Sequence, residues 1–354
     1  MGSTSSNLEG FPALKILITG GAGFIGSNLA RHYLKRGEEL TILDNLSRPG
    51  VERNLQALQR DFPQLRFLKT DIRDGQAFPQ PVEGQDVVFH MAAQVAVTTS
   101  IVDPLADFEV NALGTLNLLE AVRQSRSQPI LIYASTNKVY GDLARLPLEV
   151  KGLRYEPATG LQSIDESCPL DFHSPYACSK GSGDQYVRDY ARLYDLRTVV
   201  LRQSCIYGPG QHGSVEQGWV SWMLRAAMES KPVTVFGSGR QVRDVLYIGD
   251  LVEACDLVIQ NISRTSGQIY NIGGGIENSI SILEYLQLLD NKFGCKILPE
   301  WAPARLGDQR FFVADIGKAK RDFGWAPKTS VAEGVSRLLA WMKEGLTASA
   351  ACEQ

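Results

Sequence analysis

The stretch Ile16-Leu17-Ile18-Thr19-Gly20-Gly21-Ala22-Gly23-Phe24-Ile25-Gly26 leaves this chain few ways to fold. A short apolar run stops at a cluster of glycines, and apolar residues then recur at helical spacing through Phe24, Ile25, Leu29, Tyr33 and Leu34. That order predicts a buried strand, a tight turn and a helix. The glycines read as G-x-x-G-x-x-G through Gly20, Gly23 and Gly26, or as G-x-G-x-x-G from Gly21. Glycine lets the backbone turn sharply and approach a pyrophosphate, which then sits on the positive end of the following helix. Asp44 closes the next apolar run, 40–43. A carboxylate there accepts from a ribose 2′-hydroxyl and repels a 2′-phosphate, so the pattern predicts NAD rather than NADP, with the nearby Arg48 as the one dissenting residue. Taken alone, the glycines could also serve only a tight turn, and a noncatalytic NAD-binding regulator would carry the same signature.

Apolar runs at 40–43, 65–68, 87–91, 130–134 and 198–201 read as further strands, with helical stretches such as 111–123 between most of them. Strands alternating with helices demand right-handed crossovers and a parallel sheet. The expected fold class is therefore α/β: a Rossmann-type doubly wound parallel sheet with a smaller mixed α/β substrate domain. The 354 residues suffice for both. Residues 1–10, small and polar, read as a disordered tail, 11–204 as the NAD-binding domain, 205–345 as the substrate domain and 346–354 as a second tail. The short strands at 234–236, 269–272 and 310–313 are assigned to the substrate domain, while 242–259 is expected to return to the first.

Tyr176 and Lys180 stand one helical turn apart in Ser-Pro-Tyr-Ala-Cys-Ser-Lys, just after a proline suited to a helix start, so both side chains share a face. Tyrosine is a poor base at neutral pH. Moving its pKa from ~10 to about 7 takes roughly 4 kcal/mol of differential stabilisation of the phenolate. A neighbouring ammonium and a positive nicotinamide ring can supply that in a shielded site. Thr136, at the end of the 130–134 strand, would place a hydroxyl at the carboxyl edge of the sheet, where ligands of open α/β folds bind. Thr136, Tyr176 and Lys180 are the catalytic candidates.

Other features narrow the function class. Lys and Arg total 36 against 39 Asp and Glu, a net charge of −3, and no basic stripe offers nucleic acid a surface. An anionic ligand must be held by a few placed groups. No apolar run is long enough for a membrane helix and no secretory leader is evident, so a soluble, cytoplasmic protein is expected. Six cysteines without a C-x-x-C pair and four dispersed histidines predict no metal site. His90 reads as a hydrogen-bonded core residue, and His173 as a candidate site wall.

The marks TGGAGFIGS, LDNLS, Asp71-Ile72, HMAAQ, Asp103-Pro104 through Asn111 to Gly114-Thr115, STNKVYGD, SPYACSK, RQVRDVLYIGD, YNIGGG and ARLGDQR together resemble the extended short-chain dehydrogenases/reductases that modify nucleotide-activated sugars. The resemblance covers about 14–341. Within that family STNKVYGD, LDFHSPYACSKG, QGWV and DQRFFVAD look most like the CDP-sugar 2-epimerases. The resemblance implies a tightly bound NAD, transient oxidation at carbon 2 of a CDP-sugar, a homodimer or homotetramer formed through helices 111–123 and 175–193, and a place in O-antigen lipopolysaccharide biosynthesis. It implies Phe24, Ile25, Asn45, Ser47, Arg48, Asp71, Ile72, Met91, Ala92, Ala93, Asn111 and Gln203 beside the glycines and Asp44 at the cofactor. Gln94, Thr136, Asn137, Cys205, Gln217, Trp219, Arg243 and Arg305 fall to the substrate, the two arginines at its diphosphate or ribose. Dehydratases of this family carry an acid directly after the threonine. Here Asn137 and Lys138 follow Thr136, and an amide cannot protonate a leaving hydroxyl. A UDP-hexose 4-epimerase and a CDP-glucose 2-epimerase remain alternatives.

Overall fold

The computed structural model describes residues 12–294, 297–305 and 307–352, with 346–352 as helix backbone only. The expected tail at 1–10 lies outside the described residues. Strands run in chain order β1 (Lys15–Thr19), β2 (Glu39–Asp44), β3 (Arg66–Lys69), β4 (Val87–His90), β5 (Ile130–Thr136), β6 (Leu148–Lys151), β7 (Arg154–Pro157), β8 (Thr198–Gln203), β9 (Cys205–Tyr207), β10 (Val233–Phe236), β11 (Val242–Tyr247), β12 (Gln268–Ile272), β13 (Ser279–Ser281), β14 (Pro299–Ala302) and β15 (Phe311–Phe312).

Seven of them form one parallel sheet in the order β12-β8-β5-β4-β1-β2-β3. Its inner strands are apolar on consecutive residues because both faces are covered. Successive residues of β1 point opposite ways. Ile16 and Ile18 pack with Leu29 and Tyr33 of the helix Phe24–Lys35, while Leu17 packs with Leu118, Leu119 and Val122 of the helix Gly114–Gln124. The chain leaves β1 for β2 and β3, then crosses back to β4 on the other side of β1. Such a reversal opens a crevice at the carboxyl ends of the two central strands.

A smaller unit covers that crevice. β9, β11, β13 and β15 make a mixed four-stranded sheet, and β10 pairs with β14. Its core gathers Tyr285 and Leu289 with Leu224, Val335 and Leu338.

Three boundaries differ from the sequence expectation. β12, assigned above to the substrate domain, is the edge strand of the main sheet, paired to β8 from Gln268↔Val199 to Ile272↔Gln203. Its apolar run fits a buried parallel strand, and local pattern carries no information on which sheet receives it. The 242–259 segment is divided: β11 stays in the small sheet, whereas the helix Ile248–Gln260 returns to the main sheet, with Asp256 contacting His32 at 2.7 Å and Arg36 at 3.1 Å. Finally, the last helix runs Val331–Cys352, through most of the expected tail. The β6–β7 hairpin, within 11–204, docks on the small unit through Arg154, which forks onto Glu284 at 2.7 Å.

The helix Pro175–Tyr194 is locked to the sheet by a buried ion pair. Arg202 of β8 donates from Nε and Nη2 to the two oxygens of Asp184, each at 2.9 Å, and Ser135 of β5 donates to the same carboxylate at 2.7 Å. Removing one partner of such a pair leaves an uncompensated buried charge. Arg202→Met is expected to lower stability by about 3–5 kcal/mol, read from the midpoint of urea denaturation; an unchanged midpoint would show that the pair is not a fastening of the helix.

Candidate active site

Both units line a cavity of about 550 Å³ at the carboxyl ends of β1, β4, β5 and β8. The catalytic candidates meet inside it. Ser174 caps the helix Pro175–Tyr194 by accepting the Ala177 N–H at 3.1 Å, and Ser100 accepts the Tyr176 N–H at 3.1 Å. These two bonds fix the first helical turn, and with it the Tyr176 ring. The phenol faces the Thr136 hydroxyl, which accepts the Lys138 N–H at 3.2 Å. Lys180 lies one turn deeper, its ammonium 4.2 Å from the centre of the Tyr133 ring.

Burial sets the protonation of this pair. It pushes Tyr176 up to about 12 despite the opposing influence of the Thr136 hydroxyl, and pulls Lys180 down to about 7 despite the charges of Asp184 and Asp107. A base working at neutral pH needs a tyrosine near ~7. The site's own residues instead keep the proton on Tyr176, so the lowering must come from a positive charge brought in beside the phenol.

The residues at the glycine turn fit NAD. The helix Phe24–Lys35 starts with Gly23 as N-cap, no capping side chain and no acid in its first turn, so its first N–H groups are free for a phosphate. A Cβ on Gly26 would meet the Gly20 carbonyl at 2.2 Å, and one on Gly20, at φ +68°, would strike the Ala92 backbone at 2.6 Å. Asp44 ends β2 beneath this turn, accepting the Ala22 N–H at 3.1 Å and the Leu46 N–H at 2.8 Å, with burial pushing its pKa up. Asn45 donates to Asp71 at 3.0 Å and accepts the Ser47 N–H, which gathers the three just beyond the end of β2, while Ile72 packs against Gly114. Phe24, Ile25, Met91, Ala93 and Gln203 line the cavity itself. The Gln203 amide nitrogen is buried there with no hydrogen-bond partner among the described residues, an orphan that a bound ligand would satisfy.

Asn111 and Gln94 do not line the cavity, nor do Asn45, Ser47, Arg48, Asp71, Ile72 and Ala92. Asn111 donates to Asp107, Ser179 and the Gln94 carbonyl, and Gln94 donates to Asp107 at 2.8 Å. They hold a buried carboxylate, which also accepts from Ser179 at 2.5 Å, and so support the helix bearing Tyr176 and Lys180. Asn111 sits in a π-helical turn, Glu109–Leu113, between two α-helices. His90 is a core residue, bonded to Thr19 at 2.7 Å and Thr115 at 3.0 Å, and burial drives its pKa down to about 3. His173 pairs with Asp142 and Asp171 and does not line the cavity.

At the other end, Asn137, Cys205, Gln217, Trp219, Arg243 and Arg305 all line the cavity. Arg243 donates to Asp308 at 2.7 Å, and Lys138 reaches the same oxygen at 3.3 Å. Burial pushes the Asp308 carboxyl up, but the two cations outweigh it and hold the pKa below the usual range. Arg305 lies 3.9 Å from the centre of the Phe236 ring and donates to the Val215 carbonyl at 2.9 Å. Arg48 bonds Gln217, and Thr98 bonds Glu216, so the 215–217 loop is tied to both units. Burial raises the Cys205 thiol pKa, consistent with an inert wall residue. Trp219 packs edge-on against Tyr285. Sequence reasoning missed Lys138, Asp308 and Gln309 as cavity or support groups. Gln309, fully buried, donates to the Asn137 and Gly141 carbonyls and accepts from the Asn137 amide at 3.1 Å. Their signal was present in STNKVYGD and ARLGDQR.

The sequence pattern of the NAD dependent epimerase/dehydratase family matches residues 16–273. The chain belongs to this family. It is 45% identical over 335 residues to CDP-paratose 2-epimerase of Salmonella typhi, covering 93% of this chain and 99% of that protein. Among solved structures it resembles UDP-glucose 4-epimerase of Thermotoga maritima with UDP-glucose, at TM-score 0.81 and 31% identity over 94% of this chain and 100% of that one. It also resembles UDP-glucuronic acid 4-epimerase of Bacillus cereus in complex with UDP-glucuronic acid and NAD, at TM-score 0.80 and 28% identity over 94% and 99%. As an NAD-dependent member of the family, the chain sets Tyr176, Thr136 and Lys180 against the cofactor groove.

Lys180 gives a stability test with a definite sign. Its pKa is lowered in the folded state, so between about 7 and the unfolded value near ~10.4 the unfolded chain holds a proton that the folded chain lacks. Its penalty is full below that window and fades as pH rises through it. Wild type should gain stability relative to Lys180→Met from pH 7 to 10, measured as paired denaturation midpoints; a parallel pH course for the two would refute the buried, destabilised ammonium.

Proposed function

We propose that this chain epimerises a nucleotide-activated sugar at carbon 2, converting CDP-paratose to CDP-tyvelose with no net redox change. The observation that carries the reaction class is Asn137. It follows Thr136 in the cavity wall with its amide engaged by Gln309, and it offers no acid for eliminating water. The 45% identity to CDP-paratose 2-epimerase, spread over 93% of the chain, supports the substrate.

NAD, when bound, supplies the acceptor that takes the carbon 2 hydride and returns it, and a positive ring charge beside Tyr176. In this reading Tyr176 Oη takes the proton of the carbon 2 hydroxyl as that hydride leaves. Thr136 holds the phenol and the substrate hydroxyl in line. Lys180 favours the phenolate by its charge while it is an ammonium. Once the sugar has presented its other face, Tyr176 gives the proton back to the carbon 2 oxygen. Arg243 and Arg305 hold the diphosphate or ribose, exchanging contacts to Asp308 and to the 215–216 loop for contacts to the ligand.

We also assign a homo-oligomeric state. The helices at 111–123 and 175–193 carry exposed apolar residues that a monomer would leave wet, Leu113 at 37% and Leu193 at 66%, and Leu105, just before the first, is exposed at 66%. Paired with a second copy, they complete a four-helix arrangement. No helix among the described residues is long and apolar enough to cross a membrane. The reading places the enzyme in the cytoplasm, supplying an activated sugar for O-antigen lipopolysaccharide.

Incubated with CDP-paratose, CDP-glucose and UDP-galactose without added reductant, the enzyme should convert CDP-paratose to CDP-tyvelose, followed by chromatography of the nucleotide sugars; turnover confined to UDP-galactose would overturn the assignment. Tyr176→Phe should cut kcat by about 10²–10⁴-fold while NAD stays bound, checked by mass spectrometry of the native protein. Leu105→Glu should shift the mass measured by light scattering toward one chain; an unchanged assembly would exclude this face.

A further inference from the structure

A second cleft, of about 400 Å³, shares no lining residue with the active-site cavity. It opens between the helix Pro175–Tyr194, the edge strand β12 and its neighbour β8, the 166–170 loop and the helix Gly317–Phe323. Three cations line it, Arg188, Arg202 and Lys318, against one carboxylate, Glu166.

The charges are unevenly matched. Arg202 is neutralised by Asp184 behind the wall, and its third nitrogen, Nη1, donates to the Tyr140 hydroxyl at 3.0 Å. Lys318 has only neutral acceptors, Gln268 Oε1 at 3.0 Å and the Ile269 carbonyl at 2.9 Å. Glu166 accepts the Asn271 N–H at 2.7 Å and makes no ion pair among the described residues. Arg188 makes neither a hydrogen bond nor an ion pair with any described residue, and its Nε is fully buried. Burial and the like charges of Arg192 and Arg202 oppose its charge, and Asp184 favours it. A guanidinium with a buried Nε and no acceptor among the described residues leaves its fork open to an oxyanion.

We propose that this cleft binds a phosphate group, with Arg188 as its principal ligand and Lys318 as a flanking donor. The planar fork of Arg188 matches two phosphate oxygens. Arg202, spent on Asp184 and Tyr140, contributes field rather than contacts. The volume exceeds that of a bare phosphate, so both free phosphate and a phosphate monoester satisfy the same chemistry. The cleft is walled by the same helix that bears Tyr176 and Lys180, through Gln185 and Arg188, and by Arg202, which also clamps Asp184.

The test is calorimetric titration of the NAD-loaded enzyme with inorganic phosphate and, separately, glycerol 3-phosphate, at ionic strength held constant with chloride. Saturable binding of either ligand is expected, weakened about tenfold or more in Arg188→Gln and in Lys318→Gln, with thermal midpoints of the ligand-free variants near wild type. Tighter binding of glycerol 3-phosphate would assign the monoester as occupant, and equal binding the phosphate alone. Absence of saturable binding, a heat reproduced by chloride, or affinity unchanged in Arg188→Gln would overturn the proposal.

Discussion

A lysine side chain that is 3% exposed has lost most of its hydration, and only fixed countercharges can keep it usable as a cation. For Lys180 those are Asp184 and Asp107, which are buried as well and need holding in turn. Arg202 and Ser135 hold Asp184 from β8 and β5, while Ser179, Gln94 and Asn111 hold Asp107. The two sets of bonds pin the helix Pro175–Tyr194 between the sheet and the 94–111 segment. Tyr176 and Thr136 meet as a consequence. The π-helical turn at Asn111 belongs to the same constraint, since that amide reaches Asp107, Ser179 and the Gln94 carbonyl at once.

The substrate end works under a different rule. With a net charge of −3, the chain has no general pull on an anion, and the cations around the cavity are placed singly and already engaged: Arg243 and Lys138 on Asp308, Arg305 on the 215–216 loop, Arg48 on Gln217. Such internal partners keep guanidinium groups oriented before a ligand arrives, and an entering anion then exchanges one acceptor for another rather than ordering a free side chain. The ties from Arg48, Thr98 and Arg305 converge on 215–217, so the mouth of the cavity is fastened to both units.

How much of this could be read beforehand depended on how local the cause is. The glycine turn, Asp44 and the Tyr176–Lys180 spacing were legible because one strand, one turn and one helix determine them. The main sheet followed from alternation of apolar runs with helical stretches. What was missed is long-range. Asn137 meets Gln309, Arg202 meets Asp184 across the sheet, and β12 joins β8 after a detour through the small unit. Asn111 and Gln94 stood in recognisable motifs, yet their side chains answer to the buried Asp107, whose charge the one-dimensional pattern does not rank. The depressed Lys180 and elevated Tyr176 pKa values likewise reflect enclosure, which spacing alone does not reveal.

The central claim is that hydride leaves and returns at one carbon within a closed site, and isotope tracking tests it most directly. CDP-paratose bearing deuterium at carbon 2, converted in ordinary water, should give CDP-tyvelose that keeps the deuterium at carbon 2, as seen by mass spectrometry and proton NMR. Product that has lost the label to solvent would mean proton abstraction from carbon rather than transient oxidation, and would contradict the account.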